Sequence, residues 1–248
     1  MKLSAAARSD AGPRKTNQDA HFVDLDLGLL VVADGMGGHN AGEVASHMAI
    51  DAVVDFIRAT KDSHQVTWPF PFDPTQSVAV NRVSVALRIA NRKVHDAGAR
   101  SAEHAGMGTT IVAALVDGQQ IVIGHVGDSR AYCIRAGQLQ QMTQDDTWLN
   151  AMLGAGAAEQ AINHPMRHVL TSGIGMRVDV EPSLTEEALQ CGEHWLICSD
   201  GVHGYLDNAS LAKAVAAGSA EAAANGAVES ALAAGTSDNA TAVVLLVE

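Results

Sequence analysis

Residues 110–126 have the sequence TIVAALVDGQQIVIGHV, two apolar runs of strand length on either side of Asp117-Gly118. Runs of this length, rich in Val and Ile, are typical of β-strands that are buried on both faces. An Asp-Gly dipeptide favours a tight hairpin turn, so the two strands would be antiparallel neighbours. This stretch therefore predicts an antiparallel sheet in the interior of the protein.

Three further apolar runs have the same length and character. They are Leu29 to Ala33, Trp195 to Cys198 and Thr241 to Val247. Ala136-Gly137 has the composition of a second hairpin turn. We therefore expect several antiparallel strands to share one sheet core.

Helical spacing of apolar residues follows in three other segments. It extends from Ala41 to Phe56, from Val80 to Val94 and over roughly Ser210 to Ala234. The Pro- and aromatic-rich stretch Trp68 to Pro74 separates the first two segments. Together, the predicted strands and helices indicate an α+β fold, in which helices cover a sheet core. We expect one domain over residues 1–248.

Composition excludes several classes of protein. The formal net charge of -12 argues against nucleic-acid binding, which requires clustered Lys and Arg. No apolar run approaches the roughly 20 residues of a membrane-spanning helix. The three cysteines have no zinc-ligand spacing and no even disulfide count, so we expect buried free thiols. We predict a cytoplasmic monomer with no membrane or nucleic-acid partner.

Four of the predicted strands border an Asp that is flanked by Gly, Ser or Asn. These residues are Asp34, Asp128, Asp200 and Asp238. Taken singly, each is more simply explained as a turn residue. Taken together, carboxylates on rigid strand ends could converge on hard cations, and oxygen ligands favour Mg²⁺ or Mn²⁺. Pairs of such ions serve phosphoryl chemistry, so phosphoester hydrolysis is the natural hypothesis.

Six short motifs then resemble, in order and spacing, those of the metal-dependent type 2C Ser/Thr protein phosphatases. They are RKTNQD (14–19), DGMGGH (34–39), MGTT (107–110), GDSRAY (127–132), SDG (199–201) and SDNAT (237–241). The Met after Asp34-Gly35 is similar to the short bacterial members of the family. The resemblance spans nearly the whole chain.

The resemblance implies an antiparallel β-sandwich of two sheets flanked by helix pairs, in α-β-β-α layers. It implies two Mn²⁺ or Mg²⁺ ions, with Asp34 bridging them and the Gly35 carbonyl binding one. Asp200 and Asp238 would hold the other ion, and Asp128 matches the ligand of a third.

Three more residues receive roles from the resemblance. Arg14 would bind the substrate phosphate, and Asp19 would fix metal-bound waters. From local sequence alone, a solvated Arg in a turn is the default explanation of Arg14, and a surface or turn Asp explains Asp19 as well as the site role does. His39 either donates the proton to the leaving alkoxide or orients a loop and caps the following helix, because Met36 stands where many eukaryotic relatives have His.

The resemblance implies phosphoserine and phosphothreonine hydrolysis in phosphoproteins, opposing a bacterial-type Ser/Thr kinase. A phosphatase of small phosphoesters and a catalytically dead phosphoprotein-binding regulator are the alternatives. Residues from Asp145 to about Val180 correspond to a mobile flap. The family motif Thr-x-Asp-His ends here in Asp146, a departure that affects the local contacts near the flap. Ser172 stands where relatives often have Arg, a departure that bears on substrate choice.

Overall fold

Two antiparallel β-sheets lie face to face, and helices cover the outer face of each sheet. The computed structural model of the chain describes residues 1–38, 40–61, 67–156, 162 and 164–248. The order of layers, helix, sheet, sheet and helix, confirms the predicted α+β sandwich.

The first sheet has every neighbouring pair of strands antiparallel. In spatial order its strands are β1 (Leu3–Asp10), β11 (Ala240–Val247), β10 (His194–Cys198), β7 (Arg130–Arg135) and β8 (Gln138–Gln141). Ala136 and Gly137 join β7 to β8 with φ angles of +51° and +76°. Positive φ at both turn residues is what a type I′ hairpin requires, so the predicted turn is confirmed.

The second sheet contains the stretch that predicted the fold. In spatial order its strands are β2 (Asp19–Asp24), β3 (Leu29–Met36), β5 (Ile111–Asp117), β6 (Gln120–Val126) and β9 (Ser183–Ala188), and β4 (Gly108–Thr109) pairs with the end of β3. The register places Ile111 opposite Val126 and Asp117 opposite Gln120, which confirms the predicted hairpin.

The helices pack on the two sheets in separate groups. They are α1 (Ala41–Thr60), α2 (Val78–Arg100), a 3₁₀ turn (Ala102–His104), α3 (Trp148–Gly154), α4 (Asp200–His203), α5 (Asn208–Ala214) and α6 (Ala220–Ala233). Helices α1 and α2 cover the second sheet, and α5 and α6 cover the first. Within the described ranges, none of these helices has both the length and the apolar composition of a membrane span.

Strand β3 shows how one sheet serves two cores. Leu29, Val31 and Ala33 pack under α1 and α2, whereas Leu30 and Val32 face the other sheet. Successive side chains of a strand point to opposite faces, so a continuous apolar run is what a doubly covered sheet needs.

Two expectations from sequence were wrong in detail. The single helical stretch predicted over residues 210–234 is two helices, because the Ser219 side chain accepts a hydrogen bond from Ala222 N at 3.2 Å and starts a new helix. Of the cysteines, Cys133 and Cys198 are buried free thiols as expected, but Cys191 is exposed.

Candidate active site

The predicted acidic residues lie at one end of the sandwich, where strand ends of both sheets meet. We call them the acidic cluster: Asp19, Asp34, Asp128, Asp200 and Asp238. Asp19 begins β2, Asp34 lies near the end of β3, Asp128 follows β6, Asp200 follows β10 and Asp238 precedes β11. Asp34 and Gly35 belong to β3 itself, so the alternative of a simple Asp-Gly turn is wrong at this position.

Asp19 and Asp34 face each other across two neighbouring strands. The register of β2 and β3 places them directly opposite. Asp19 is buried, and its Oδ2 accepts a hydrogen bond from the Ser199 hydroxyl at 2.7 Å. Its Oδ1 is buried with no hydrogen-bond partner among the described residues. A buried oxygen without a partner costs free energy, which suits a position that meets a further group.

The cluster is electrostatically unfavourable on its own. Burial raises the pKa of Asp34 well above its usual range, and repulsion from the other four members raises it further. Burial also raises the pKa of Asp200, and Asp238 adds to the rise. Burial raises the pKa of Asp19 to about 6, although the hydroxyl groups of Thr241 and Ser199 oppose it. Carboxylates held together in this way are typical of sites for divalent cations.

Asp128 lies in the turn between β6 and β7, after Gly127 with φ +105°. Burial raises the pKa of Asp128 to about 7, and repulsion from Asp200 and Asp145 contributes. His203 Nε2 lies 3.0 Å from the Asp128 carbonyl oxygen. Burial lowers the pKa of His203 to about 4, so the ring is neutral at pH 7 and Nε2 is the nitrogen that donates.

A two-pronged ion pair supports the same turn. Arg130 Nε and Nη2 donate to the two carboxylate oxygens of Asp145 at 2.8 Å and 2.7 Å. Arg130 Nη1 also donates to the hydroxyl of buried Tyr132 at 3.0 Å. The exposed fractions of the Arg130 and Asp145 side chains are 26% and 11%, so the pair is largely shielded from water.

Arg14 reaches the cluster from the loop before β2. Its Nη2 donates to Asp238 Oδ2 at 2.7 Å, and its Nε donates to the Ser237 carbonyl at 3.0 Å. The Arg14 side chain is 55% exposed, so this ion pair is a weak one. The guanidinium can therefore exchange the carboxylate for another anion at little cost.

Asn239, in the SDNAT motif (237–241), is a residue of the site whose role the sequence did not predict. Its Oδ1 accepts from Gln18 N at 2.8 Å, and its Nδ2 donates to the carbonyls of Ala11 and Thr16 at 2.9 Å and 3.0 Å. These bonds fix the loop that carries Arg14. Their partners lie more than 200 positions away, so only the motif itself, not local sequence, could have indicated this role.

The cluster opens into a cavity of about 320 Å³. Its lining residues include Arg14, Gln18, Asp34, Gly35, Thr110, Asp128, His168, Leu170, Asp200, Asp238 and Asn239. Two of them, His168 and Leu170, belong to the predicted flap and were not predicted as site residues. The cavity is therefore bounded by the sandwich end on one side and by this segment on the other.

His39, the predicted proton donor, lies outside the described residues. In the part of the chain that the structure describes, no three His, Cys, Asp or Glu side chains surround a single point as a preformed metal cage does. One of the predicted ligands, Asp238, is paired with Arg14 at 2.7 Å.

A family model described as protein phosphatase 2C matches residues 8–235. The chain belongs to the protein phosphatase 2C family. This confirms the resemblance that the six sequence motifs indicated.

Among phosphatase 2C relatives, the serine/threonine protein phosphatase PstP of Mycobacterium tuberculosis is 34% identical over 247 residues, which are 98% of this chain and 45% of PstP. The chain thus spans less than half the length of that relative. Protein phosphatase PhpP of Streptococcus pneumoniae is 34% identical over 214 residues, covering 82% of this chain and 80% of PhpP. A crystal structure of the PstP catalytic domain with two manganese ions superposes with a TM-score of 0.83 at 32% identity, covering 99% of each chain.

Proposed function

We propose that this protein hydrolyses phosphoserine and phosphothreonine esters in phosphoproteins, with Mn²⁺ or Mg²⁺ bound by the acidic cluster. The observation that carries the proposal is a set of mutually repelling carboxylates, of which Asp34, Asp128, Asp200 and Asp238 are partly buried and line one cavity with Arg14. A phosphate ester is an anion and would be repelled by this cluster alone. Bound cations would neutralise the carboxylates and so allow the anionic substrate to bind. The names of PstP and PhpP support a phosphoprotein as the substrate.

The residues of the cluster fit such cations. Carboxylate and carbonyl oxygens are the ligands that Mg²⁺ and Mn²⁺ prefer. Asp34 and the Gly35 carbonyl would hold one ion, Asp34, Asp200 and Asp238 the second, and Asp128 a third. The PstP catalytic domain in complex with two manganese ions supports the binding of two such ions.

Two structural observations favour this fit. The unpartnered Oδ1 of Asp19 points to a further group, consistent with a role in holding water beside the ions. Gly35 has no room for a side chain, because a Cβ there would collide with the Gly42 carbonyl oxygen. The main chain at the end of β3 therefore packs directly against the main chain at the start of α1.

When bound, the cations would supply an activated water and neutralise charge on the phosphoryl group. The chain's own residues orient the substrate. Arg14 would exchange Asp238 for two phosphoryl oxygens, which its planar fork matches. The leaving alkoxide must take up a proton, and His39 stays the sequence prediction for that role.

The cellular setting is part of the same proposal. Residues 1–248 would form one catalytic domain, which would act as a monomer in the cytoplasm, in signalling, and oppose a bacterial-type Ser/Thr kinase. Cys133, Cys191 and Cys198 are free thiols, which are typical of a reducing compartment.

The test is Mn²⁺- and Mg²⁺-dependent release of phosphate from phosphothreonine peptides. Asp34→Asn and Asp200→Asn should lose turnover, while Asp55→Asn, a control at an exposed position of α1, should match the wild type. Absence of metal-dependent turnover in the wild type would refute the proposed phosphatase activity. Turnover confined to small phosphoesters supports that alternative instead, and peptide binding without turnover supports a regulator.

A further inference from the structure

The residue that departs from the family motif, Asp146, lies directly against the Gly127-Asp128 turn. Its Oδ2 accepts a hydrogen bond from Gly127 N at 2.9 Å, and its own N–H donates to the Gly127 carbonyl at 2.9 Å. A single residue therefore satisfies both main-chain polar groups of Gly127. No other position of the turn is held in this way by one partner among the described residues.

Gly127 depends on this support. Its φ of +105° lies in the region that favours glycine, and a Cβ at this position would lie 2.7 Å from Thr110. Glycine has no side chain to restrict its own rotation, so outside contacts must fix its conformation. Gly127 immediately precedes Asp128, and a rotation of its backbone would change the direction of the Asp128 side chain.

Other contacts restrain the turn from the remaining sides. His203 Nε2 donates to the Asp128 carbonyl at 3.0 Å. The hydroxyls of Ser129 and Thr110 lie 2.7 Å apart and are hydrogen-bonded. The first of these contacts holds Asp128 itself and the second holds the residue after it, so the position before it is left to Asp146.

We propose that Asp146 is a positioning residue, which holds the Asp128 carboxylate in place for cation binding through the main chain of Gly127. Asp146 touches neither cation nor substrate in this role. The inference rests on the proposed function, because it takes Asp128 as a ligand of the third ion. Residues that orient a metal ligand in this way commonly change metal affinity by 10- to 100-fold when they are removed.

The experiment is calorimetric titration of Mn²⁺ into the substrate-free protein. Asp146→Ala should weaken the weakest binding event by about 10-fold or more and leave the tighter events within about twofold. Asp146→Asn retains an acceptor oxygen for Gly127 N and should bind all ions as the wild type does. Asp128→Ala should abolish the weakest event, and adding Asp146→Ala to it should change nothing further.

A merely structural role predicts other results and would overturn the proposal. Such results are equal weakening of every binding event, an added loss in the Asp128→Ala background, or wild-type binding by Asp146→Ala. A wild type without an event that Asp128→Ala removes would overturn it too. Thermal unfolding in EDTA checks folding; should Asp146→Ala fail to fold, Asp146→Ser, whose hydroxyl is too short to replace the carboxylate, should show the same selective weakening.

This inference and the proposed function fail separately. Loss of the proposed function would appear as absence of metal-dependent phosphate release from the wild type. Failure of the role of Asp146 would appear in the Mn²⁺ titrations, even with a fully active wild-type enzyme.

Discussion

Replacing Asp128 with Asn should stabilise the cation-free protein while weakening its response to Mn²⁺. Burial, Asp200 and Asp145 all act against the ionised carboxylate of Asp128, which raises its pKa from 3.8 to about 7. Asn has nearly the same shape and carries no charge. The substitution therefore removes the cost of burying an anion but keeps an oxygen for hydrogen bonding.

The magnitude follows from the size of the shift. Each pKa unit corresponds to about 1.4 kcal/mol, so the ionised carboxylate costs at most about 4 kcal/mol at pH 8. Asp128 keeps some contact with solvent, which screens the repulsion, so we expect about 1–2 kcal/mol in the free energy of unfolding. For a chain of this size, that gain corresponds to a rise in Tm of about 2–8 °C.

The gain should depend on pH in a definite direction. The native state binds more protons than the unfolded state between the unfolded pKa of 3.8 and the native pKa of about 7. Wild-type stability therefore falls as pH rises through this window, while the uncharged Asn escapes that part of the loss. The advantage of Asp128→Asn should be greatest at pH 8 and roughly 40% as large at pH 5.

Urea unfolding in EDTA, at pH 5 and pH 8, measures this advantage directly. Asp51→Asn, at an exposed position of α1, is the matched control and should change stability at neither pH. Saturating Mn²⁺ should favour the wild type, because it binds the cation more tightly. An Asp128→Asn protein that is no more stable than the wild type at pH 8, or whose advantage does not change with pH, would refute the electrostatic reasoning.

Substitutions at three other positions test separate parts of the structure. Arg14→Ala should lower kcat/KM on a phosphothreonine peptide by about 100-fold and Arg14→Lys by less, because Lys keeps the charge but not the fork; equal losses in steady-state kinetics would contradict phosphate binding by the guanidinium. Gly201→Ala should lower the free energy of unfolding by about 1–3 kcal/mol, because the new Cβ would collide with the Asn239 carbonyl oxygen. Urea unfolding measures this change. An unchanged urea midpoint would show that the main chains at Gly201 and Asn239 can move apart. Asp145→Ala should destabilise the protein by about 3 kcal/mol, since it leaves the shielded Arg130 without its partner, and a thermal melt unaffected by the change would count against that pair.

The sequence predicted five long apolar strands that are buried on both faces and missed β1, β2 and β9, whose faces are partly exposed. Leu29 to Ala33 and Thr241 to Val247 are almost wholly apolar because each face meets a separate core. All eight residues of β1 are only half buried, so its sequence, LSAAARSD, has neither an apolar run nor strict alternation. Pairing with β11 creates that strand, and a long-range partner cannot be read from local composition.

The site shows the same division between local and distant information. Asp34, Asp128, Asp200 and Asp238 could be predicted because each borders a recognisable strand, and strand ends in a sandwich meet. The contacts of Asp146 depend on the distance between the segment after β8 and Gly127, and tertiary packing sets that distance. Motif position marked Asp146 as unusual, but only the structure shows which groups it holds.

The segment between Thr147 and Leu170 begins and ends at one antiparallel bridge, and Thr171 N donates to the Asp146 carbonyl at 2.8 Å beside it. Because both ends of this segment meet at one place, its length and sequence can change without displacing the strands that carry the carboxylates. Proteins of this architecture can therefore differ in this whole segment while keeping the same sandwich. Exchanging residues 148–169 between family members would test whether this segment selects among substrates, because its ends meet at one bridge and the acidic cluster lies outside it.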